Sequence, residues 1–407
     1  MAEENSQNSQ KPDTPIVHEE IKGDLENLMG TVISHYPISL YDYDKEKLEK
    51  TYDSDEMYKK FCEKYIDNFK FPSDTDTYRP PFGNTYYGGM DFADSKTTGM
   101  IRSTGWDLIK QIGKKLLSGD FNLTTVTIPI RVMVPISILQ HICNGHFNFP
   151  LYLNLASRTE DPIQQMKYVM TACISSWFKS SVFLKPLNPI LGETYEMIWE
   201  DGGHEYVEQT SHHPPRSHFI IFGPQNNYKY YGYLDFTSNA WLNSFKLTNR
   251  GNRFVEFKNQ KSKIEFNYPV DQYCNTFWGC LRQETIGEVN FLDHINGYKS
   301  TFKLGNVYGK VSDFFEGTIE NKDGDVVSNF KGSYLEYIEF DGVRYWDIRR
   351  NIDIEGFPVK NQLKSSSIYR PDSLCLYERK LDQAQEEKDK LENLQRKDRK
   401  LRKNYNN

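Results

Sequence analysis

The sequence has little of what most functional classes need. Six cysteines (Cys62, Cys143, Cys173, Cys274, Cys280, Cys375) are scattered through 407 residues without a CxxC pair, which argues against a disulfide framework and a zinc site and for reduced thiols. No stretch approaches the roughly 20 apolar residues that span a bilayer; the longest candidate, Val126 to Leu139, is broken by Pro129, Arg131 and Pro135. The N-terminus, MAEENSQNSQKPD, has neither a basic nor an apolar region, so no secretory signal is expected. A net charge of -6 gives no global attraction to nucleic acid. These absences lead us to expect a soluble cytosolic chain that binds no nucleic acid.

Aromatic side chains, by contrast, are abundant: 27 Tyr, 25 Phe and 6 Trp. Such a load favours strands or a ring-lined apolar interior. From about Gly192 to Asp347 short alternating segments, such as Tyr195, Met197 and Trp199, are punctuated by turn signals including Asp201-Gly202-Gly203, Asn296-Gly297 and Asp341-Gly342. Many short strands without intervening helices predict an antiparallel sheet that curls or closes. Asp313-Phe314-Phe315-Glu316, which has the look of an acidic two-phenylalanine docking motif, lies inside this pattern and is assigned to the sheet.

Helical patterning flanks the strands. Residues 1–100 are polar and irregular, and read as a partly disordered extension with one possible helix between Asp44 and Phe69. In residues 103–120, Trp106, Leu108, Ile109, Ile112, Leu116 and Leu117 fall on one half of a helical wheel, opposite Asp107, Lys110, Gln111 and Lys114. Thr104-x-x-Asp107 predicts a capping box at its start, and Ser118-Gly119 its stop. That helix can pack on the core, or it can close a cavity or touch a membrane. A second helical zone runs from Asp161 to Phe183, and a third from Leu381 to Lys403.

Two strings carry chemistry. In Glu208-Gln209-Thr210-Ser211-His212-His213-Pro214-Pro215, adjacent imidazoles can donate hydrogen bonds to an anion, and the prolines fix the backbone. Neighbouring residues on a strand point to opposite faces, so one anion can meet both rings only if a turn or bulge lies near Ser211. As an isolated pair, two histidines satisfied by backbone at a strand end are the commoner outcome. In Lys185-Pro186-Leu187-Asn188-Pro189-Ile190-Leu191-Gly192-Glu193, two prolines and a glycine mark a fixed loop that carries a point charge and an amide.

Together, KPLNPILGE and EQTSHHPP resemble the oxysterol-binding protein family, whose hallmark string is EQVSHHPP. Thr210 replaces Val within it. The resemblance covers residues 103–403 and suggests a short, ligand-domain-only member. It implies a mainly β fold with flanking helices: a large incomplete antiparallel β-barrel (about 184–350) around an apolar lipid tunnel. An amphipathic lid (about 103–121) would precede the barrel and a C-terminal helix (about 380–403) follow it. It also implies a tunnel that takes a sterol or another lipid, or else the chains of phosphatidylinositol 4-phosphate with its head at the mouth. On the family pattern Lys185, Asn188, His212, His213, Lys388, Glu392 and Arg396 would hold that head. Leu187 would line the entrance, Glu193 would support the loop, and Trp106, Ile109, Ile112, Leu116 and Leu117 would form the lid. Lys388, Glu392 and Arg396 recur every fourth residue, on one helical face. The connection usually close to DSRxRPD here reads Ser366-Ser367-Ile368-Tyr369-Arg370-Pro371-Asp372.

The expected activity is lipid binding and transfer between membranes, probing them peripherally as a monomer, with no cofactor, no metal and no enzymatic reaction. A lipid sensor or tether is the alternative. A metal-dependent or phosphoinositide hydrolase using Glu208, His212 and His213 lacks a third ligand at recognisable spacing, a nucleophile motif and a Gly-rich phosphate loop.

Overall fold

The computed structural model describes residues 50–112, 121–122, 128–180, 184–212, 214–241, 243–307 and 309–405. Seven α-helices occur among them: α1 (Ser54–Phe61), α2 (Ser95–Ile112), α3 (Ile138–Asn144), α4 (Phe149–Ser157), α5 (Pro162–Ser180), α6 (Pro371–Tyr377) and α7 (Leu381–Tyr405). Four short strands lie outside the main run: β1 (Met90–Asp91), β2 (Phe121–Asn122), β3 (Met133–Ser137) and β4 (Lys185–Leu187). The rest follow in order as β5 (Thr194–Trp199), β6 (His204–His212), β7 (Pro215–Phe222), β8 (Tyr228–Trp241), β9 (Ser244–Asn249), β10 (Arg253–Phe257), β11 (Lys263–Phe266) and β12 (Val270–Cys274). The last seven are β13 (Arg282–Asp293), β14 (Lys299–Leu304), β15 (Phe314–Glu320), β16 (Val326–Ser333), β17 (Tyr337–Phe340), β18 (Val343–Asp347) and β19 (Gly356–Pro358).

The large sheet runs β19-β5-β6-β7-β8, each pair antiparallel. It then forks: the first half of β8 pairs with β10 and the second half with β9. The branches continue as β10-β11 and β9-β12 and rejoin on the long β13, from which β14 to β18 follow. Among the described residues β18 and β19 do not pair, so the sheet curls without closing, the incomplete barrel that the family resemblance implies. The hairpin signals hold: at Asp341-Gly342 both residues have positive φ (49° and 81°), the conformation a tight turn matching strand twist demands.

Alternation along the strands sends one set of side chains inward, where α3, α4 and α5 pack. Phe149 stacks on Tyr230 with centroids 4.3 Å apart, and the ring series continues through Phe266 to Phe291 at 5.2 Å. Trp177 of α5 is buried against Tyr334 and Phe302. Asp313 and Phe315 are buried and the motif is part of the sheet as assigned, Asp313 serving as an anchor for Arg79 at 2.7 Å.

Two expectations change. Residues 50–100 are not a loose extension: Phe61, Cys62, Ile66, Met90 and Phe92 are buried in the main core, and Arg79 bridges Asp313 and Glu336. Their polar composition hid this because the apolar anchors are sparse and irregularly spaced. The amphipathic helix also starts earlier, at Ser95, where Asp94 accepts from the Lys96 N–H at 2.9 Å and the Thr97 hydroxyl at 2.6 Å. Thr104 is not a cap; it lies mid-helix and its hydroxyl donates back to the Met100 carbonyl.

Candidate functional site

The loop 185–193 is held between β6 and the start of α6. Its far end joins the sheet through reciprocal bonds with Gln209: Gly192 N–H to the Gln209 carbonyl and Gln209 N–H to the Glu193 carbonyl, each 2.9 Å. Glu193 is buried and fully engaged. It accepts from the Ile190 N–H (2.9 Å), the Ser367 hydroxyl (2.7 Å) and the Arg370 guanidinium (2.9 Å). Arg370 also donates to the Asn188 carbonyl at 2.6 Å and pairs with Asp372 at 2.6 Å. The planar guanidinium thus ties the 188–193 loop to the 370–372 segment in one plane of donors.

Lys185 sits on this frame in a different condition. Its ammonium donates to the Asn188 side-chain oxygen and to the Pro186 carbonyl, and among the described residues it makes no ion pair. Burial pushes its ammonium down to about 8, and the positive charges of Lys388 and Arg370 push in the same direction, with Glu392 partly opposing them. A desolvated cation amid other cations is an arrangement that an anion relieves.

The C-terminal helix supplies the far wall. Lys388 is buried and pairs with Glu392 at 2.7 Å; Arg396 pairs with the other Glu392 oxygen at 2.9 Å. The helix is seated by Ala384, which packs with Ile130, Met133, Leu187 and Leu376, and by Gln385, whose side chain accepts from the Ile130 N–H. Leu187, expected at an entrance, is fully buried in this satellite cluster and therefore helps seat α7. Leu381 and Leu394 are exposed, so the helix touches the body over a narrow stripe.

At the end of β6 the pairing with β7 shifts register between Gln209 and Ser211, and His212 stands opposite Pro215. The bulge that the two-imidazole geometry requires is therefore present. His213 lies outside the described residues. Thr210, the one departure within the hallmark string, is exposed; its hydroxyl contacts the Arg216 carbonyl and lies 2.7 Å from His218 Nδ1.

With this geometry in place, comparison with known proteins is decisive. A family profile described as oxysterol-binding protein matches residues 108–407. The chain belongs to the oxysterol-binding protein family. It is 31% identical over 287 residues to oxysterol-binding protein 9 of Dictyostelium discoideum, covering 64% of this chain and 67% of that one. It is 30% identical over 221 residues to oxysterol-binding protein-related protein 2 of Homo sapiens, covering 53% of this chain and 45% of that one. The match thus spans under half of the human relative. Among solved structures, the Osh1 ORD domain in complex with cholesterol aligns with a TM-score of 0.62 at 20% identity, over 88% of this chain and 90% of that one. The Osh3 ORD in complex with PI(4)P from Saccharomyces cerevisiae aligns with a TM-score of 0.61 at 22% identity, over 81% and 89%. At such identities these two likenesses establish the fold.

Within this oxysterol-binding protein domain, sequence reasoning passed over Arg370, Ser367 and Asp372. The signal was present: the 366–372 connection departs from the family string at its start but keeps Arg-Pro-Asp. Of the residues expected to form a lid, Trp106 is 45% exposed and packs on Phe277 with centroids 4.9 Å apart. The side chains of Ile109 and Ile112, and all of Leu116 and Leu117, lie outside what the structure describes. Helix α2 is tied to the segment before β3, the strand that pairs with β4 at Lys185, by Arg131, which donates to Thr104 and Asp107, each at 2.9 Å. Among the described residues no His, Cys, Asp and Glu cluster could hold a metal, and no helix is long and apolar enough to cross a membrane.

Inside the barrel, near the fork, the inward residues differ from the ring-packed end. Phe236, Phe245 and Leu247 are only half-buried, and Asp271 stands among them. Gln283 and Thr285 donate to one Asp271 oxygen at 2.8 and 3.2 Å, yet burial still pushes the carboxyl up to about 6.

Proposed function

We propose that this protein carries one lipid at a time between membranes. A sterol or another lipid occupies the barrel interior, and phosphatidylinositol 4-phosphate competes for the same space with its phosphorylated head on Lys185, Asn188, His212, His213, Lys388 and Arg396. Glu392 orients the two α7 cations, and Glu193 and Leu187 support the loop and its contact with α7. The observation that carries this reading is the desolvated Lys185 ammonium, which feels Lys388 and Arg370 more strongly than Glu392 and makes no ion pair among the described residues. The family membership and the bulge before His212 support it.

The physical reason for a carrier is the cost of exposing an acyl chain to water. At about 0.8 kcal/mol per methylene, a chain of about fifteen carbons costs on the order of 12 kcal/mol. An apolar enclosure offsets most of that cost in transit. Two lipids that exclude each other from one enclosure can be exchanged, so a gradient of one drives transport of the other. The chemistry is binding and release, with no bond made or broken, and the protein meets membranes peripherally.

A donor-to-acceptor vesicle assay with labelled sterol and labelled phosphoinositide tests the reading. Replacing both histidines (His212→Ala with His213→Ala) is expected to abolish phosphoinositide extraction while neutral lipid still binds. Equal loss of both cargoes in a folded variant would sink the head-group assignment.

A further inference from the structure

The six tryptophans divide cleanly. Trp177, Trp199 and Trp346 are at most 2% exposed, whereas Trp106, Trp241 and Trp278 are 45%, 40% and 51% exposed. The three exposed rings come from three segments distant in sequence, and those segments converge on one edge of the molecule. Trp241 ends β8 at the hairpin to β9. Asn243, in that hairpin, accepts from the Phe277 and Trp278 N–H groups at 2.9 and 3.2 Å, and its carbonyl accepts from Thr276. The loop that presents Trp278 is thereby fastened to the hairpin that presents Trp241.

The same loop is fastened on its other side to α2. Arg102 donates to the Asn275 and Gly279 carbonyls, and the Phe277 ring lies against Trp106. A Cβ at Gly105 would stand 2.9 Å from the Phe277 ring, so glycine is what allows that ring to approach the helix. The loop is pinned from both sides, yet its largest apolar side chain is held out to solvent. Rigid backbone serving an exposed ring is costly unless the ring has somewhere to go.

Charge and position select the occupant. Lys246 lies over the Trp241 ring at 5.5 Å, and Lys110 is exposed on α2 one turn from Trp106. Asp107 is the acid beside them, and Arg131 pairs with it at 2.9 Å. Indole rings with a polar edge settle at the head-group level of a bilayer, and flanking cations favour anionic lipid. The edge is also joined to the Lys185 segment, since α2 bonds Arg131, two residues before the Met133 that pairs with Lys185.

We propose that Trp241 and Trp278, with Trp106 beside them, form a tryptophan anchor that seats the protein on the interface of an anionic bilayer. This rests on the carrier reading for its purpose but not for its test. The full chain is sedimented with phosphatidylcholine vesicles, with and without phosphatidylserine, beside a variant carrying Trp241→Ala and Trp278→Ala. Vesicle partitioning of the variant should fall at least about tenfold, as expected for withdrawing two half-exposed indoles from an interface. Quenching of tryptophan emission by brominated lipid should fall with it, and Trp→Phe at both positions should restore part of the partitioning. Binding of a water-soluble short-chain phosphatidylinositol 4-phosphate should be unchanged, which reports an intact head-group pocket. Unchanged partitioning of the double-alanine variant would overturn the anchor and leave the three rings to a protein partner. Loss of phosphoinositide binding by the parent, with its tryptophan-dependent partitioning retained, would overturn the carrier reading and leave the anchor standing.

Discussion

Two cations meet the loop 185–193, Arg370 from the start of α6 and Lys185 from within it, and they are solved in opposite ways. The Arg370 region is saturated: two carboxylates and a backbone carbonyl take up its donors within 2.6 to 3.0 Å. Lys185, at the other end of that loop, donates to neutral oxygens alone among the described residues. Arginine, with a planar fork of five donors, suits a permanent brace; lysine, with a compact charge whose pKa yields to its surroundings, suits a site that waits for a charge to arrive. The contrast teaches that burial of a charge does not by itself mark function. The state of its partners does.

Breaking the brace should have the largest effect. Arg370→Leu leaves Glu193 and Asp372 buried without their cation, and removing one partner of such a pair costs about 3–5 kcal/mol. The urea midpoint should fall accordingly. Arg370→Lys should recover little of it, because an ammonium cannot span Glu193, Asp372 and the Asn188 carbonyl at once. If Arg370→Leu proved as stable as the parent, the brace would not be one.

Replacing the waiting charge should do the reverse. Lys185→Gln removes a desolvated cation that has no ion-pair partner among the described residues, so stability should hold or rise. Affinity for the phosphoinositide head should drop by about 2 kcal/mol, roughly thirtyfold. Isothermal titration with a short-chain phosphoinositide would show this, and equal affinity would remove Lys185 from the site.

The pH dependence sharpens the same point. The empty protein loses the Lys185 proton at about 8, and a bound anion holds that proton on. Binding therefore takes up a proton near pH 8, and affinity falls as the pH rises above it. The sign for stability is opposite: between about 8 and the ordinary lysine value the unfolded chain binds the proton and the empty fold does not, so stability increases with pH there. Both trends should vanish in Lys185→Gln.

Asp271 is the anionic counterpart, served by neutral donors alone. Its folded pKa of about 6 lies above the ordinary carboxyl value, so its ionisation weakens the fold as pH rises from about 4 through 6. Asp271→Asn should therefore stabilise the lipid-free protein at pH 7 by about 1–2 kcal/mol and have little effect at pH 4, as thermal melts would show. Thr210→Val should have the smallest effect, within about 0.5 kcal/mol, because the position faces solvent and away from the barrel interior; a larger change in phosphoinositide affinity would place it in the site after all.

Much of this was legible in the chain. The alternation in Tyr195, Met197 and Trp199 and the turn pairs such as Asp341-Gly342 encode strands locally, since side-chain period and backbone handedness are properties of a few adjacent residues. The family strings pointed to Lys185 and the histidine pair, and the need for a bulge before His212 followed from strand geometry alone. What was missed shares one cause. Met90 and Phe92 anchor a stretch of polar composition, and Arg370 meets Glu193 across 177 positions; neither contact has a local period to betray it.

By itself, then, the sequence determined the β period, the amphipathic faces of α2 and α7, and the identities of the charged groups. Only the tertiary structure decided which cation is neutralised and which is set beside its like, because that depends on carboxylates delivered by chain segments far away. It also decided that three of six tryptophans share one exposed edge. A ring's hydrophobicity is written in its residue type, but whether it is covered depends on which distant segment packs against it.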